Sequence, residues 1–155
     1  MIRRGKKEDM EVIGRLLEQV EMVHHLGRPD LFTDGGRKYY DDELERILED
    51  DRRPVFVYDD ERDGVLGYAF CVLEDHAGEN VMMPILTCYI DDICVFEHVR
   101  GRGVGRAIYE YVRDWARDYG CYNVTLNVWE CNPGAKAFYE KMGLTPYKYG
   151  MEVIL

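Results

Sequence analysis

The sequence predicts a mixed-sheet α/β domain, and three observations carry the prediction. Apolar residues near the start recur at helical spacing. The period then changes to short apolar runs separated by polar turns, as in hairpins. Further on, a strand, an amphipathic helix and another strand follow one another, which supplies one parallel crossover.

A short first strand at Ile2-Arg3 precedes Val12, Ile13, Leu16, Leu17, Val20 and Val23, whose spacing predicts a helix that stops at Gly27-Arg28-Pro29. The stretch from Gly27 to Lys38 holds three glycines and a proline and reads as a loop. A second short helix, about Tyr40 to Glu49, carries Leu44, Ile47 and Leu48. Pro54 to Tyr58 and Val65 to Leu73, joined by the polar Asp59 to Gly64, read as a β-hairpin. A loop around His76 to Asn80 leads to a strand over Leu86 to Phe96. The next helix shows Val104, Ala107, Ile108, Tyr111, Val112, Trp115 and Tyr119 on one face and stops at Gly120. Val124 to Trp129 is predicted as a strand, Ala135 to Met142 as a helix ended by Gly143, and Tyr147 to Leu155 as a last strand. With no repeat, low-complexity tract or linker, residues 1–155 read as a single domain.

A length of 155 residues suits one domain with one substantial core. Hydrophobic residues at 46% and charged residues at 32% exclude a largely disordered chain. The net charge of -10 disfavours a protein that coats nucleic acid or an anionic membrane, because phosphate binding rests on accumulated positive charge. No run approaches the roughly 20 apolar residues that cross a bilayer, and the basic N-terminus has no apolar region behind it, so no signal peptide is expected. The cysteines, Cys71, Cys88, Cys94, Cys121 and Cys131, form no C-x-x-C pair and read as reduced thiols of a cytoplasmic protein. His24 and His25 are adjacent, hence about 100° apart on a helix, and no Cys/His cluster supplies further ligands, so no metal is expected.

The segment Val95 to Arg106 joins an apolar strand to an amphipathic helix through a glycine-rich, basic turn. Glycines let the main chain approach a ligand, and the free N–H groups of a first helical turn point at it. The helix dipole and Arg100, Arg102 and Arg106 add positive potential. A dinucleotide fingerprint starting at Gly101 fails, because its third glycine falls on Arg106. A Walker loop fails for want of Gly-Lys-Ser/Thr. The pattern that fits is Arg/Gln-x-x-Gly-x-Gly, as Arg100, Gly103 and Gly105. Here the chain resembles the GNAT superfamily of acyl-CoA-dependent N-acyltransferases. Asn132 to Leu144 is similar to that family's N-x-x-A-x-x-F-Y-x-x-x-G-F segment, with Leu144 for the usual Phe, and Tyr89 to Val95 is similar to its strand before the turn. The likeness is specific over about Tyr89 to Leu144 and topological before that.

The resemblance implies the single-domain GNAT fold, a mixed and mostly antiparallel central sheet flanked by helices. It implies that Val95 offers main-chain groups to the pantetheine arm and the thioester carbonyl of acetyl-CoA, its amide acting as an oxyanion donor. Gly101, Arg102, Gly103, Val104, Gly105 and Arg106 would contact the pyrophosphate. Tyr139 stands where the family often has a tyrosine near the CoA sulfur, and a phenol there can protonate a departing thiolate; core packing beside Phe138 is the alternative. Asn132 either positions the pantetheine or caps the last helix, Asn before Pro being a good helix opening.

Asp91 and Asp92 are expected on opposite faces of their strand, since side chains alternate. One would face the acceptor cleft and bind a cationic amine or relay its proton; a solvated acid or an ion pair is the alternative. Paired acids with Trp129 to Asn132 give some likeness to the polyamine and diamine branch of the superfamily. Cys131 invites a nucleophile reading, but direct transfer is the superfamily norm. The Gly27 to Lys38 loop, with Arg28, Asp30, Phe32 and Arg37, would lie over the acceptor side in this fold.

The expectation is therefore a cytoplasmic N-acetyltransferase with acetyl-CoA as co-substrate, no metal, and a small cationic amine as acceptor, by direct transfer in a ternary complex. Protein lysine or N-terminal amines are the second choice of acceptor. A non-catalytic acyl-CoA-binding sensor is the reading from another class, and it would need neither Tyr139 nor a cleft carboxylate. Neither nucleic acid nor membrane is expected as a partner, and a homodimer through the last strand or the hairpin edges is left open.

Overall fold

The protein is described from Met1 to Leu155 in a computed structural model. Five strands form one sheet in chain order: β1 (Ile2–Arg4), β2 (Val55–Asp60), β3 (Gly64–Asp75), β4 (Leu86–Val95) and β5 (Asn123–Leu126). The first four pair antiparallel, and β5 lies parallel to β4. The crossover that a parallel pair requires is α3 (Val104–Tyr119). The other helices are α1 (Met10–Gly27), α2 (Asp41–Leu48) and α4 (Pro133–Lys141). This is the mixed, mostly antiparallel sheet flanked by helices that the sequence predicts.

Alternation along the strands makes two apolar faces, and each is covered by helices. On one side Phe56, Leu66, Ala69 and Ile90 pack with Val104, Ile108 and Val112 of α3. On the other, Val57, Tyr68 and Phe70 pack with Ile13, Leu16 and Leu17 of α1 and with Leu44 and Ile47 of α2. Side chains as deeply buried as Leu16 and Leu17 each contribute about 1.5–3 kcal/mol relative to exposure. The layers thereby fix where the C-terminal end of β4 lies.

Three expectations are corrected. The inner stripe of α3 includes Tyr109 and Ala116, whereas Tyr111 and Tyr119 are exposed at the rim. Tyr111 still meets Phe56 edge-on at 5.2 Å between ring centroids, which suits a ring with one wet end. Strand β5 stops at Leu126, three residues before Trp129. Residues 147–155 form no strand: they have no regular structure and are exposed throughout. Alternating apolar residues give strand propensity, but a strand exists only where a neighbour satisfies its N–H and C=O groups.

Candidate active site

The site is built where β4 and β5 part. Their parallel register runs from Thr87 opposite Asn123 to Ile90 opposite Leu126, and β4 continues to Val95 without that neighbour. On its other side β4 is irregular: Phe70 of β3 lies opposite Asp92 and Cys71 opposite Ile90, so Asp91 has no partner residue. One extra residue in a pair is a β-bulge, and it resets the alternation of side chains. The two acids are consequently not on opposite faces. Tyr39 Oη donates to Asp91 at 2.5 Å and Lys38 Nζ at 2.8 Å, while Tyr68 Oη donates to Asp92 at 2.6 Å. The rings of Tyr39, Phe70 and Tyr68 form a continuous chain, with centroids 5.5 and 4.9 Å apart, on the α1–α2 side of the sheet. Both carboxylates belong to that side.

Their environments differ. Asp91 is held in an ion pair with Lys38. Burial raises the Asp92 carboxyl above the ordinary carboxylate range, opposed by the Tyr68 hydrogen bond and more weakly by Lys38 and His24. Asp92 is the acid poised to take up a proton. Burial also pushes up the Tyr139 phenol, and the charges of Asp92 and Cys94 add to the shift. That coupling puts Tyr139, on α4, within electrostatic reach of Asp92. A phenol held protonated in this way keeps its hydrogen available near neutral pH.

Val95 closes the strand. Phe96 N donates to Leu66 O at 3.0 Å, a hydrogen-bonded pair of the β3–β4 ladder. In an antiparallel ladder the neighbouring Gly67–Val95 pair is then the non-bonded kind, so the Val95 N–H and C=O point away from β3. They point toward the side that β5 has vacated. The carbonyl is taken: Gln19 Nε2 of α1 donates to it at 3.0 Å, and Gln19 Oε1 accepts from Glu97 N at 3.2 Å. Gln19 thus clamps the strand end and the start of the turn, leaving the amide of Val95 as the group the strand offers.

Neither Gln19 nor Gly67 figures among the residues singled out from sequence. A Cβ on Gly67 would stand 2.7 Å from Val95 Cγ1, 2.8 Å from the Cys94 carbonyl oxygen and 3.0 Å from Ile108 Cδ1. Only glycine lets β3 and α3 come this close to Val95. The signals were a glycine inside an apolar strand and a polar residue three positions after Leu16 on the inner stripe of α1.

The turn behaves as its composition predicts. After a short 3-10 turn at Glu97–Val99, Gly101 and Gly103 take φ of 79° and 83°, a left-handed backbone that other residues avoid. The amides of Gly103, Val104, Gly105 and Arg106 have no partner within the chain, and no side chain caps α3. Arg102 and Arg106 are exposed and make no ion pair, and Arg100 has only a loose contact with Glu97 at 3.8 Å. The residues present fit a pyrophosphate: four free N–H donors at a helix start with unneutralised guanidinium groups beside them. A Cβ on Gly105 would meet the Phe138 ring at 3.5 Å, so α4 packs directly against the turn and brings Tyr139 with it.

Asn132 caps α4, its Oδ1 accepting from Ala135 N at 3.2 Å with Pro133 in the first turn. An aromatic cluster lies between the end of α1 and the segment after β5. His24 stacks on Phe32 at 4.9 Å, and Phe32 meets Trp129 edge-on at 5.1 Å. The loop after α1 therefore reaches the segment after β5. Exposed Cys131 packs where a Cβ on Gly27 would come within 2.7 Å of its Sγ. No group of three or more His, Cys, Asp or Glu side chains is arranged to hold a metal ion.

Known proteins share this fold. A mutant of the BH1408 protein from Bacillus halodurans superposes with a TM-score of 0.95 at 30% identity, covering 100% of this chain and 99% of that one. An aminoglycoside N-acetyltransferase in complex with CoA superposes at 0.73 with 17% identity over 100% of this chain and 98% of that one, which shows the common fold. In sequence, 57 residues are 35% identical to glucosamine 6-phosphate N-acetyltransferase of Arabidopsis thaliana, spanning 37% of this chain and 36% of that protein. The chain thus matches only about a third of the length of the curated relatives. The model of the Acetyltransferase (GNAT) family matches residues 20–144, which include α3, both acids, the glycine turn and Tyr139. Both the geometry and this match lead to one conclusion: the chain belongs to the acetyltransferase (GNAT) family of enzymes.

Proposed function

We propose that the protein is an acetyl-CoA-dependent N-acetyltransferase that acetylates a small cationic primary amine by direct transfer in a ternary complex. The observation that carries this reading is the convergence, where β4 leaves β5, of the outward Val95 amide, the proton-poised Asp92 and the protonated Tyr139 beside the free amides of Gly103 to Arg106. Acetyl-CoA supplies the activated thioester. The turn amides with Arg100, Arg102 and Arg106 bind its pyrophosphate. The Val95 N–H donates to the thioester oxygen, where negative charge develops during attack. Asp92 attracts the cationic amine and accepts its proton, directly or through water, and Tyr139 returns a proton to the departing thiolate. The aromatic wall of His24, Phe32 and Trp129 bounds the acceptor and offers ring faces to a cation.

Glucosamine 6-phosphate and aminoglycosides, which the names of similar proteins carry, present an amine on a sugar. Aminoglycosides and polyamines are cationic throughout and fit the class proposed here, whereas glucosamine 6-phosphate offers the same primary amine beside an anionic phosphate. The test is thiol release from acetyl-CoA across a panel of amino sugars, aminoglycosides, polyamines, and peptides with free lysine or N-terminal amines. Stimulation by at least one small amine and not by the peptides is expected. Preference for peptides overturns the small-amine reading; CoA binding without turnover on any acceptor leaves the sensor reading. Because burial raises Asp92, the rate should climb with pH as this carboxyl ionises, above the usual carboxylate range, and Asp92→Asn should remove that limb.

A further inference from the structure

Residues Arg28 to Tyr40, between α1 and α2, form neither helix nor strand, and from Thr33 to Tyr39 no main-chain group makes a backbone hydrogen bond. Such a stretch keeps one conformation only where side chains hold it. Near α1 the hold is His25, whose Nδ1–H donates to the Phe32 carbonyl at 2.8 Å. Near α2 the Arg37 guanidinium lies in the space that a side chain on Gly14 would fill, and it pairs with Asp41. The polar tie between loop and sheet is Asp91. Tyr39 Oη donates to one of its carboxylate oxygens at 2.5 Å and Lys38 Nζ to the other at 2.8 Å.

The place of Asp91 in β4 suits it to this task. It is the residue that the bulge opposite Phe70 and Cys71 leaves without a partner, and its side chain meets the loop on the α1–α2 side of the sheet. That side chain is only 15% exposed, both of its oxygens are taken, and the Lys38 ammonium cancels its charge. The Tyr39 ring is held in turn: it packs on Phe70 of β3 with centroids 5.5 Å apart and carries the Arg53 guanidinium 5.5 Å from its centroid. Asp92 differs on each count. It makes no ion pair, and its hydrogen-bond donor, Tyr68, comes from the sheet itself.

We propose that Asp91 is a positioning residue: it latches the loop from Arg28 to Tyr40 onto β4 and thereby sets the acceptor wall, while taking no part in proton transfer. The acceptor side of this inference rests on the function proposed above. The loop spans from Phe32, which meets Trp129 edge-on at 5.1 Å, to Tyr39 on Asp91. Loss of the tie at Tyr39 leaves that wall without its fixed place relative to Asp92. An acceptor then binds more weakly, because ordering the wall falls to the binding step. Once bound, it meets the same Asp92, Tyr139 and thioester. Because Lys38 cancels the Asp91 charge, the acceptor's ammonium finds Asp92 as the carboxylate free to hold it.

The experiment uses the full chain with Asp91→Asn, which keeps the size and removes the charge, and with Tyr39→Phe, which removes one donor alone. Limited proteolysis with trypsin reads the loop at the Arg37–Lys38 and Lys38–Tyr39 bonds without any acceptor. Cleavage there should be about tenfold faster in Asp91→Asn and about threefold faster in Tyr39→Phe, hydrogen bonds to a charged acceptor being the strong ones. Thiol release is then measured with kanamycin, spermidine and glucosamine 6-phosphate as acceptor probes. In Asp91→Asn the KM of a probe that turns over should rise about tenfold, with kcat within about twofold and CoA affinity in calorimetry unchanged. Unaltered cleavage in both variants overturns the latch. So does a fall in kcat at unchanged KM, which would make Asp91 a reacting acid. A protein that releases thiol with no amine fails the proposed function instead, and the cleavage rates decide the latch independently.

Discussion

Gln19→Leu is the most informative single substitution, because it removes polar contacts while keeping the size of the side chain. In the wild type the Gln19 amide donates to Val95 O at 3.0 Å and accepts from Glu97 N at 3.2 Å. Each neutral hydrogen bond contributes about 0.5–1.5 kcal/mol, so the two together are worth about 1–3 kcal/mol. Leucine fills similar space on the inner stripe of α1, so the core beside Leu16 and Cys94 stays packed. What is lost is the tie between the end of β4, which presents the Val95 amide, and the first residue of the turn that holds the free N–H donors. If CoA needs that junction ordered, the loss falls on the bound state. At 1.4 kcal/mol per factor of ten, affinity should drop about tenfold, and by no more than about a hundredfold. Titration calorimetry with CoA reads the affinity, and thermal unfolding of the same samples reads the stability. Wild-type affinity in a variant whose Tm has fallen by roughly 2–4 °C per kcal/mol would make the clamp purely structural and refute the reasoning.

Gly67→Ala places a methyl 2.8 Å from the Cys94 carbonyl, which cannot swing aside, so a loss of about 1–3 kcal/mol is expected in thermal or denaturant unfolding. Tyr139→Phe should lower kcat by about a hundredfold while CoA affinity in calorimetry stays unchanged; a rate unaltered near neutral pH removes the acid assignment. Asp9 gives a pH test of the fold: burial raises its carboxyl, but Arg3 at 2.8 and 3.0 Å and the Lys6 amide at 2.8 Å lower it further, to a net position below the usual range. A depressed folded value contributes stability that is present above the unfolded value and lost as pH falls through the folded one. Asp9→Asn should therefore cost about 1.5–3 kcal/mol near neutral pH and flatten the acid limb of stability against pH, as chemical denaturation at several pH values would show.

The sequence by itself determined the element order as far as α4, the glycine turn and the groups on which the proposed chemistry draws. These are local properties: apolar periodicity sets a helix or strand, Gly101 and Gly103 permit the left-handed turn, and Asn132-Pro133 opens a helix wherever the chain goes. Only the tertiary structure decided which way the groups face and what they touch. Alternation put Asp91 and Asp92 on opposite faces, and the bulge opposite Phe70 and Cys71 brought them to one. The division between an ion-paired Asp91 and a proton-poised Asp92 depends on Lys38, Tyr39 and Tyr68, distant in the chain and joined to the acids only by folding. Gln19 and Gly67 matter through neighbours far away in the sequence, so no spacing rule selects them. The same limit explains the last strand: the alternation from Tyr147 to Leu155 specifies a strand, but a strand needs a partner edge, and pairing is a property of the assembled fold.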